Sequence, residues 1–126
     1  MIGLGLIGGS IALGLRSLGW SVTGCDTDPD VQRTALDRSV VDAVGLDRTA
    51  EITFVAVPVM SAPGEVKRAL AETAGAVTDV GSVKAPICRS HDDPRFVGGH
   101  PMAGSELDGL DGAQAELFSG AVWVLT

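Results

Sequence analysis

The chain has 126 residues, a formal net charge of −7, 45% hydrophobic residues and 17 glycines, and its mean hydropathy is +0.30. This length fits one compact domain, and the composition is typical of a buried sheet joined by tight turns and excludes a disordered chain. The acidic charge, with no cluster of Lys and Arg, argues against nucleic acid as a partner.

The amino-terminal segment and the two cysteines indicate in which cellular compartment the protein is expected. Residues 1–15 carry no charge, but no basic segment precedes them and they are too short to span a bilayer. We therefore expect neither a signal peptide nor a membrane contact. Cys25 and Cys88 show neither C-x-x-C nor Cys/His ligand spacing, so we expect free thiols, no metal site and a reducing, cytoplasmic location.

Helical and extended segments alternate along the chain. Ile7, Ile11, Leu15 and Leu18 recur at helical spacing, which predicts a first helix that packs on a sheet. The remaining pattern predicts strands over 21–25, 41–44, 52–57, 76–80, 95–97 and 121–125. It also predicts helices over 29–38, from Pro63, over 85–89 and over 113–117, and a loop over 102–112. Short connections between them predict a doubly wound, Rossmann-type α/β fold with a mainly parallel sheet, whose ligands bind at the carboxyl ends of the strands.

A glycine motif, G-x-G-x-x-G, lies at Gly3, Gly5 and Gly8, at the start of the first predicted helix. Gly3 permits a tight turn, Gly5 lets the backbone approach a pyrophosphate, and Gly8 lets the helix pack closely on the sheet. Leu6 and Ile7 place backbone N–H groups at the helix N-terminus, where they would face the phosphates. The motif predicts a dinucleotide site; an ordinary glycine turn before a core helix is the alternative.

An aspartate at the end of the second predicted strand indicates which dinucleotide binds. Asp26 can accept hydrogen bonds from both ribose hydroxyls and would repel a phosphate there. Asp28 adds a second negative charge, and the nearest basic residue in sequence, Arg33, lies inside the next helix, so NAD is favoured over NADP. A plain turn aspartate at Asp26 and a helix N-cap at Asp28 are the structural alternatives. Val57 and Pro58, where the central apolar strand ends, complete the predicted cofactor site.

Two further motifs follow strands at the edge where a nicotinamide would lie. They are VTDVGSVK over 77–84 and FVGGHPMAGSE over 96–106. Together with GLGLIGGS over 3–10, they closely resemble the prephenate dehydrogenase family, which includes arogenate and cyclohexadienyl dehydrogenases of tyrosine biosynthesis. The resemblance covers essentially the whole chain. It implies an NAD-dependent enzyme that converts prephenate to 4-hydroxyphenylpyruvate by oxidative decarboxylation, with arogenate dehydrogenase as the nearest alternative.

The resemblance also assigns roles to four residues. His100 matches the family's catalytic histidine, and Ser82 matches the serine that hydrogen-bonds both that histidine and the substrate hydroxyl. Glu106 matches an acidic residue at the mouth of the active site, with Ser105 beside it as a weaker candidate for substrate binding. The chemistry suits these residue types, because a neutral imidazole can accept the hydroxyl proton near neutral pH while hydride leaves the ring carbon.

Structural alternatives exist for each of these polar residues. Ser82 could be a helix N-cap, and His100 could cap a turn before a proline. Lys84 could pair with a phosphate or a carboxylate, or be a structural residue. His91, beside two aspartates, is expected to be a solvated loop residue. At the level of the whole chain, a non-catalytic dinucleotide-binding module or an inactive fragment is the alternative to an enzyme.

The sequence departs from the family's pattern at both ends. Only Met1 and Ile2 precede the glycine motif, so we expect a truncated first strand that exposes hydrogen-bonding groups of its neighbours and loosens the glycine turn. The helical domain through which full-length relatives form homodimers, and which binds the substrate's ring carboxylate, has no counterpart. We therefore expect this chain alone to bind NAD weakly and to turn over little substrate.

Overall fold

The structure is a computed structural model that describes residues 1–89 and 91–126. Strands and helices alternate over most of the chain, as the hydrophobic pattern predicts. In chain order the elements are α1 (Leu6–Ser17), β1 (Thr23–Gly24), α2 (Pro29–Asp37), β2 (Ala43–Val44), β3 (Ile52–Val55), α3 (Ala62–Glu72), β4 (Ala76–Asp79), α4 (Ala85–Cys88), β5 (Phe96–Val97), β6 (Gly99–Pro101), a 3₁₀ helix (Leu110–Gly112) and β7 (Trp123–Leu125).

The strands form a mainly parallel arrangement. β1 pairs with β2, and β3, β4 and β5 pair in that order, all in parallel. Ile2 bridges Cys25 on one side and Val55 on the other, so this single residue joins the two groups of strands. β6 and β7 pair antiparallel, with His100 opposite Val124. The prediction of a Rossmann-type α/β fold with a mainly parallel sheet is confirmed.

The segment before the glycine turn is short, yet it hydrogen-bonds to both neighbouring strands. The Ile2 N–H donates to the Phe54 carbonyl at 2.9 Å, and the Ile2 carbonyl accepts from Ala56 at 2.7 Å. On the other side, the Gly3 N–H donates to the Cys25 carbonyl at 2.8 Å. The glycine turn is therefore anchored on both sides, contrary to the expectation that it would be loosened. The two neighbouring strands, β1 and β3, also line a cavity of about 300 Å³ beside Met1.

Two clusters of buried side chains pack around the sheet. One includes Leu4, Ile11 and Ala12 together with Ala35 of α2, and the other includes Val66 and Ala69 of α3. Alternate residues of a strand point to opposite faces. Accordingly, Met1 lies in the first cluster and Ile2 in the second, with helices covering both.

Several details differ from the sequence predictions. Leu18 is 78% exposed, because α1 ends at Ser17 and helical spacing no longer directs the next side chain inward. No helix forms over 113–117, where Ala113 adopts an extended backbone that ends the short 3₁₀ turn. The last strand is antiparallel, and His100 lies in β6, a short strand that the sequence pattern did not predict.

The prediction of free thiols is confirmed, whereas His91 lies in a loop as predicted but is half-buried. Cys25 and Cys88 are free thiols. The His91 ring packs edge-on against Phe96 with centroids 5.5 Å apart, and its Nε2 lies 3.1 Å from the Pro63 carbonyl, so it is not simply solvated. Among the described residues, no helix combines the length and apolar character needed to cross a bilayer.

Candidate active site

The first and last glycines of the motif are required by packing. Gly3 has a φ of +87°, and a Cβ there would lie 2.3 Å from the Ala56 carbonyl oxygen. A Cβ on Gly8 would lie 1.9 Å from the Gly3 carbonyl oxygen. Both distances are far below van der Waals contact, so a larger residue would push the turn away from the neighbouring strand.

The middle glycine has no such structural requirement. Gly5 is the N-cap residue of α1 with a φ of −76°, which other residues adopt readily. A Cβ at Gly5 would meet no atom within 4 Å. The side of Gly5 that lacks a side chain therefore faces open space, directly before the free N–H groups of a helix N-terminus.

A cavity of about 500 Å³ lies beside this open space, at the carboxyl ends of the strands. The structure brings five of the predicted cofactor residues together in its wall: Gly3, Gly5, Asp26, Val57 and Pro58. Leu6, Ile7 and Gly8 do not line it. The Leu6 side chain lies near Gly112 and the Ile7 side chain packs on the core, so these residues could offer a ligand only backbone groups of the first helical turn.

Asp26 already has structural partners. One carboxylate oxygen accepts a hydrogen bond from the Leu4 N–H at 2.8 Å, and the other accepts from the Asp28 N–H at 3.0 Å. Each oxygen keeps acceptor capacity for a further donor. The Asp28 side chain accepts from the Asp30 N–H at 2.9 Å, which identifies Asp28 as the N-cap of α2. Asp26 thus fixes the glycine turn and still presents a carboxylate to the cavity.

The sequence predictions missed a charged group in the same wall. Arg68 of α3 lines the cavity, and its Nη1 donates to Glu65 at 2.8 Å. Its Nε lies 3.4 Å from the Glu72 carboxylate. The spacing of these three residues on one helix signals the ion pairs. The same spacing gives no information on whether Arg68 reaches the strand end that carries Asp26.

The two residues expected to carry the chemistry make no hydrogen bond to each other, and neither lines the cavity beside the glycine turn. His100 is half-buried, and its Nδ1 is enclosed without a hydrogen-bond partner. Ser82 is exposed, and α4 begins after Lys84 with no side-chain cap, so Ser82 is not its N-cap. Catalytic hydrogen bonds are often formed only in the complex with substrate.

A second missed residue connects the segments that carry Ser82 and His100. Asp79 is fully buried at the end of β4 and accepts hydrogen bonds from the Gly81 N–H at 2.9 Å and the Gly99 N–H at 3.2 Å. It also forms an ion pair with Lys84. Of the partners considered for that lysine, the structure therefore shows a carboxylate. The sequence signal that could have identified Asp79 is a single acidic residue in a mostly apolar predicted strand.

The remaining candidates lie in an exposed loop. Ser105 and Glu106 are both exposed, and the Ser105 hydroxyl accepts a hydrogen bond from the Leu107 N–H at 3.1 Å. Neither side chain lines the cavity beside the glycine turn. Within residues 1–89 and 91–126, no group of three His, Cys, Asp or Glu side chains is placed to hold a metal ion.

Comparison with known proteins gives concordant results. The family model for the prephenate dehydrogenase nucleotide-binding domain matches residues 11–126. A prephenate dehydrogenase of Lactococcus lactis is 36% identical over 142 aligned residues, which cover 100% of this chain and 40% of the relative. The chain therefore spans about 40% of the length of this curated relative.

Solved structures match over almost the whole chain. Arogenate dehydrogenase of Synechocystis superposes with a TM-score of 0.88 at 35% identity, covering 99% of this chain and 48% of that one. Prephenate dehydrogenase of Aquifex aeolicus, solved in complex with hydroxyphenyl propionate and NAD+, superposes with a TM-score of 0.90 at 29% identity, covering 99% and 48%.

Proposed function

Because the chain belongs to the prephenate dehydrogenase family, we propose that residues 1–126 form one NAD-binding domain that also carries the catalytic histidine. The reaction proposed for the whole protein is the oxidative decarboxylation of prephenate to 4-hydroxyphenylpyruvate. The protein would act on a small molecule, as part of tyrosine biosynthesis in the cytoplasm. Homodimerisation would depend on sequence beyond the part shared with this chain.

The open space at Gly5 carries the cofactor proposal. Packing requires a glycine at Gly3 and Gly8, but nothing in the fold requires one at Gly5. A glycine whose missing side chain faces a cavity and a helix N-terminus suits the close approach of a pyrophosphate. Asp26, in the same wall, supports NAD over NADP because its carboxylate would accept from ribose hydroxyls and repel a phosphate.

The chemical roles are assigned to His100 and Ser82. NAD held in the cavity beside Gly5 and Asp26 would supply the acceptor for the hydride that leaves the ring carbon of the substrate. The His100 imidazole takes the proton of the hydroxyl on that carbon, and Ser82 orients the hydroxyl. The ring carboxylate departs as CO2 and the ring becomes aromatic. The unpartnered Nδ1 of His100 supports this role, since a buried imidazole nitrogen without a hydrogen bond is costly unless a ligand or a rearrangement satisfies it.

Arogenate is the second candidate substrate. The match to Synechocystis arogenate dehydrogenase, with a TM-score of 0.88 at 35% identity, supports it. The two substrates differ in a keto or amino group on the side chain. Rates of NADH formation with each substrate, measured on this chain joined to the remaining sequence of a relative, would discriminate between them.

The cofactor proposal can be tested by replacing the middle glycine. Gly5→Ala should leave the fold intact, with a change in unfolding free energy within about 1 kcal/mol, because the new methyl group meets no protein atom. Affinity for NAD, measured by calorimetric titration, should fall about tenfold or more because the methyl group occupies the pyrophosphate's approach.

Gly64→Ala is the matched control for that substitution. A Cβ on Gly64 also meets no atom within 4 Å, but Gly64 lies within α3 and does not line the cavity. It should leave the NAD affinity unchanged and stabilise the helix by about 0.5 to 1 kcal/mol. Equal NAD affinities for the two variants would contradict the proposed site.

A further inference from the structure

The guanidinium of Arg68 is held at its edges by three neighbours. Nη1 donates to Glu65 at 2.8 Å, Nε faces Glu72 at 3.4 Å, and Nη2 lies 3.5 Å from the Cys25 sulfur. Each nitrogen therefore already has a polar partner within 3.5 Å. Two contacts come from the same helix and the third from the strand end next to Asp26, which together fix the orientation of the plane.

Contacts through the nitrogens do not use the flat faces of the group. The Arg68 side chain is 41% exposed and forms part of the cavity wall beside Asp26. A guanidinium binds phosphate through its edge N–H groups, whereas its faces stack on aromatic rings. Because each of its three nitrogens already faces a carboxylate or a sulfur, few N–H donors remain for a phosphate, whereas the flat faces take part in none of these contacts and suit a planar ring.

The rest of the cavity wall offers no other stacking surface. Besides the residues already discussed, its described lining residues are small or aliphatic: Ile2, Thr27, Ala56 and Ser61. None of the described lining residues is aromatic, so Arg68 supplies the one planar side chain of the wall that is not an acid. A heterocycle that enters this cavity therefore meets a flat cation next to the carboxylate of Asp26.

We propose that Arg68 is the platform on which the adenine ring of the dinucleotide stacks, with Glu65 and Glu72 holding its plane in position. This inference rests on the proposed binding of NAD in the same cavity. It extends the cofactor site to α3, beyond the glycine turn and Asp26. It also predicts that the geometry of the group matters and not its charge alone, since a lysine has no flat face.

Calorimetric titrations with NAD and with AMP test this platform. Arg68→Ala should weaken both ligands by the same factor, about threefold to thirtyfold, as expected for loss of a cation–π contact. Arg68→Lys should not restore affinity. Lys67→Ala removes the same charge from an exposed neighbour on α3 that does not line the cavity, and it should leave both affinities unchanged.

The outcomes separate this inference from the proposed function. Wild-type chain that binds neither NAD nor AMP would remove both. If the wild-type chain binds NAD and Arg68→Ala binds it equally well, only the stacking role of Arg68 is overturned. The same conclusion follows if Arg68→Ala loses affinity for NAD but not for AMP. It also follows if Arg68→Lys has the affinity of the wild type, or if Lys67→Ala loses as much affinity as Arg68→Ala. Thermal unfolding of each variant shows that the titrations are made on folded protein; exposed ion pairs contribute little to stability, so all should remain folded.

Discussion

The glycine-turn region (residues 1–8) and the His100 region (residues 79–84 and 98–101) are fixed by different kinds of contact. Backbone hydrogen bonds from Ile2 and Gly3 tie the glycine turn to the strands on both sides. In the His100 region, the Asp79 side chain joins the two segments, and the imidazole of His100 has an unpartnered nitrogen. The difference indicates that the glycine turn is already held in place in this chain, whereas the proposed catalytic histidine keeps a hydrogen-bonding atom that a substrate could satisfy.

His100→Asn gives the largest expected effect, and it separates the two regions. Asparagine keeps a polar group in β6 but cannot accept the substrate proton. Turnover should fall about 10²-fold to 10⁴-fold, the range for loss of general acid–base catalysis, while NAD affinity stays unchanged. The measurements are NADH formation by the chain joined to the remaining sequence of a relative, and calorimetric titration of NAD.

His91→Asn is the control for that substitution. His91 contacts Phe96 and the Pro63 carbonyl, away from the glycine turn, so its loss should affect stability more than turnover. Equal turnover losses in the two variants would mean that His100 has no special role. A parallel loss of NAD affinity in His100→Asn would mean that the two regions are not independent.

Asp79→Ala should have the next largest effect, through stability. The substitution leaves the Gly81 and Gly99 N–H groups without their acceptor and removes the partner of Lys84. Breaking a buried ion pair leaves an uncompensated charge, and we expect a loss of about 3 kcal/mol in the free energy of unfolding. Urea denaturation measures this loss.

Asp37→Ala is the surface control for that measurement. Asp37 is exposed at the end of α2, so its removal should change stability by no more than about 0.5 kcal/mol. If Asp79→Ala also cost less than about 1 kcal/mol, the His100 region would not depend on this carboxylate, and the contrast between the two regions would fail.

Local signals in the sequence predicted much of this structure. The alternation of apolar segments, the N-cap at Asp28 and the packing of the glycine turn depend on residues close together in the chain, and these features are found. The prediction for Leu18 failed because it assumed that helical spacing continued past the end of α1. The helix expected over 113–117 failed because the chain becomes extended at Ala113.

Features that depend on distant neighbours were not predicted. Arg68 reaches the cofactor cavity only because β3 lies beside the glycine turn and α3 follows it. Asp79 matters because β4 brings it against Gly99, 20 residues further along the chain. Helical spacing and turn residues carry no information on such contacts, so the glycine-turn region was easier to predict than the His100 region.

The smallest expected effect concerns a buried charge beside the glycine turn. The α-amino group of Met1 donates to the Thr23 carbonyl at 2.8 Å, and burial lowers the pKa of this group from its ordinary value of 8.0. Below about pH 8 the unfolded chain therefore binds a proton that the folded chain binds less readily. Stability should rise with pH between the lowered pKa and about pH 8, and should level off above it.

Urea denaturation at about pH 7, 8 and 9 measures this trend. An N-terminally acetylated chain, which has no titrating amine, should lack it. A slope of equal size in the acetylated chain would assign the pH dependence to other groups and leave the glycine-turn region without this weakness.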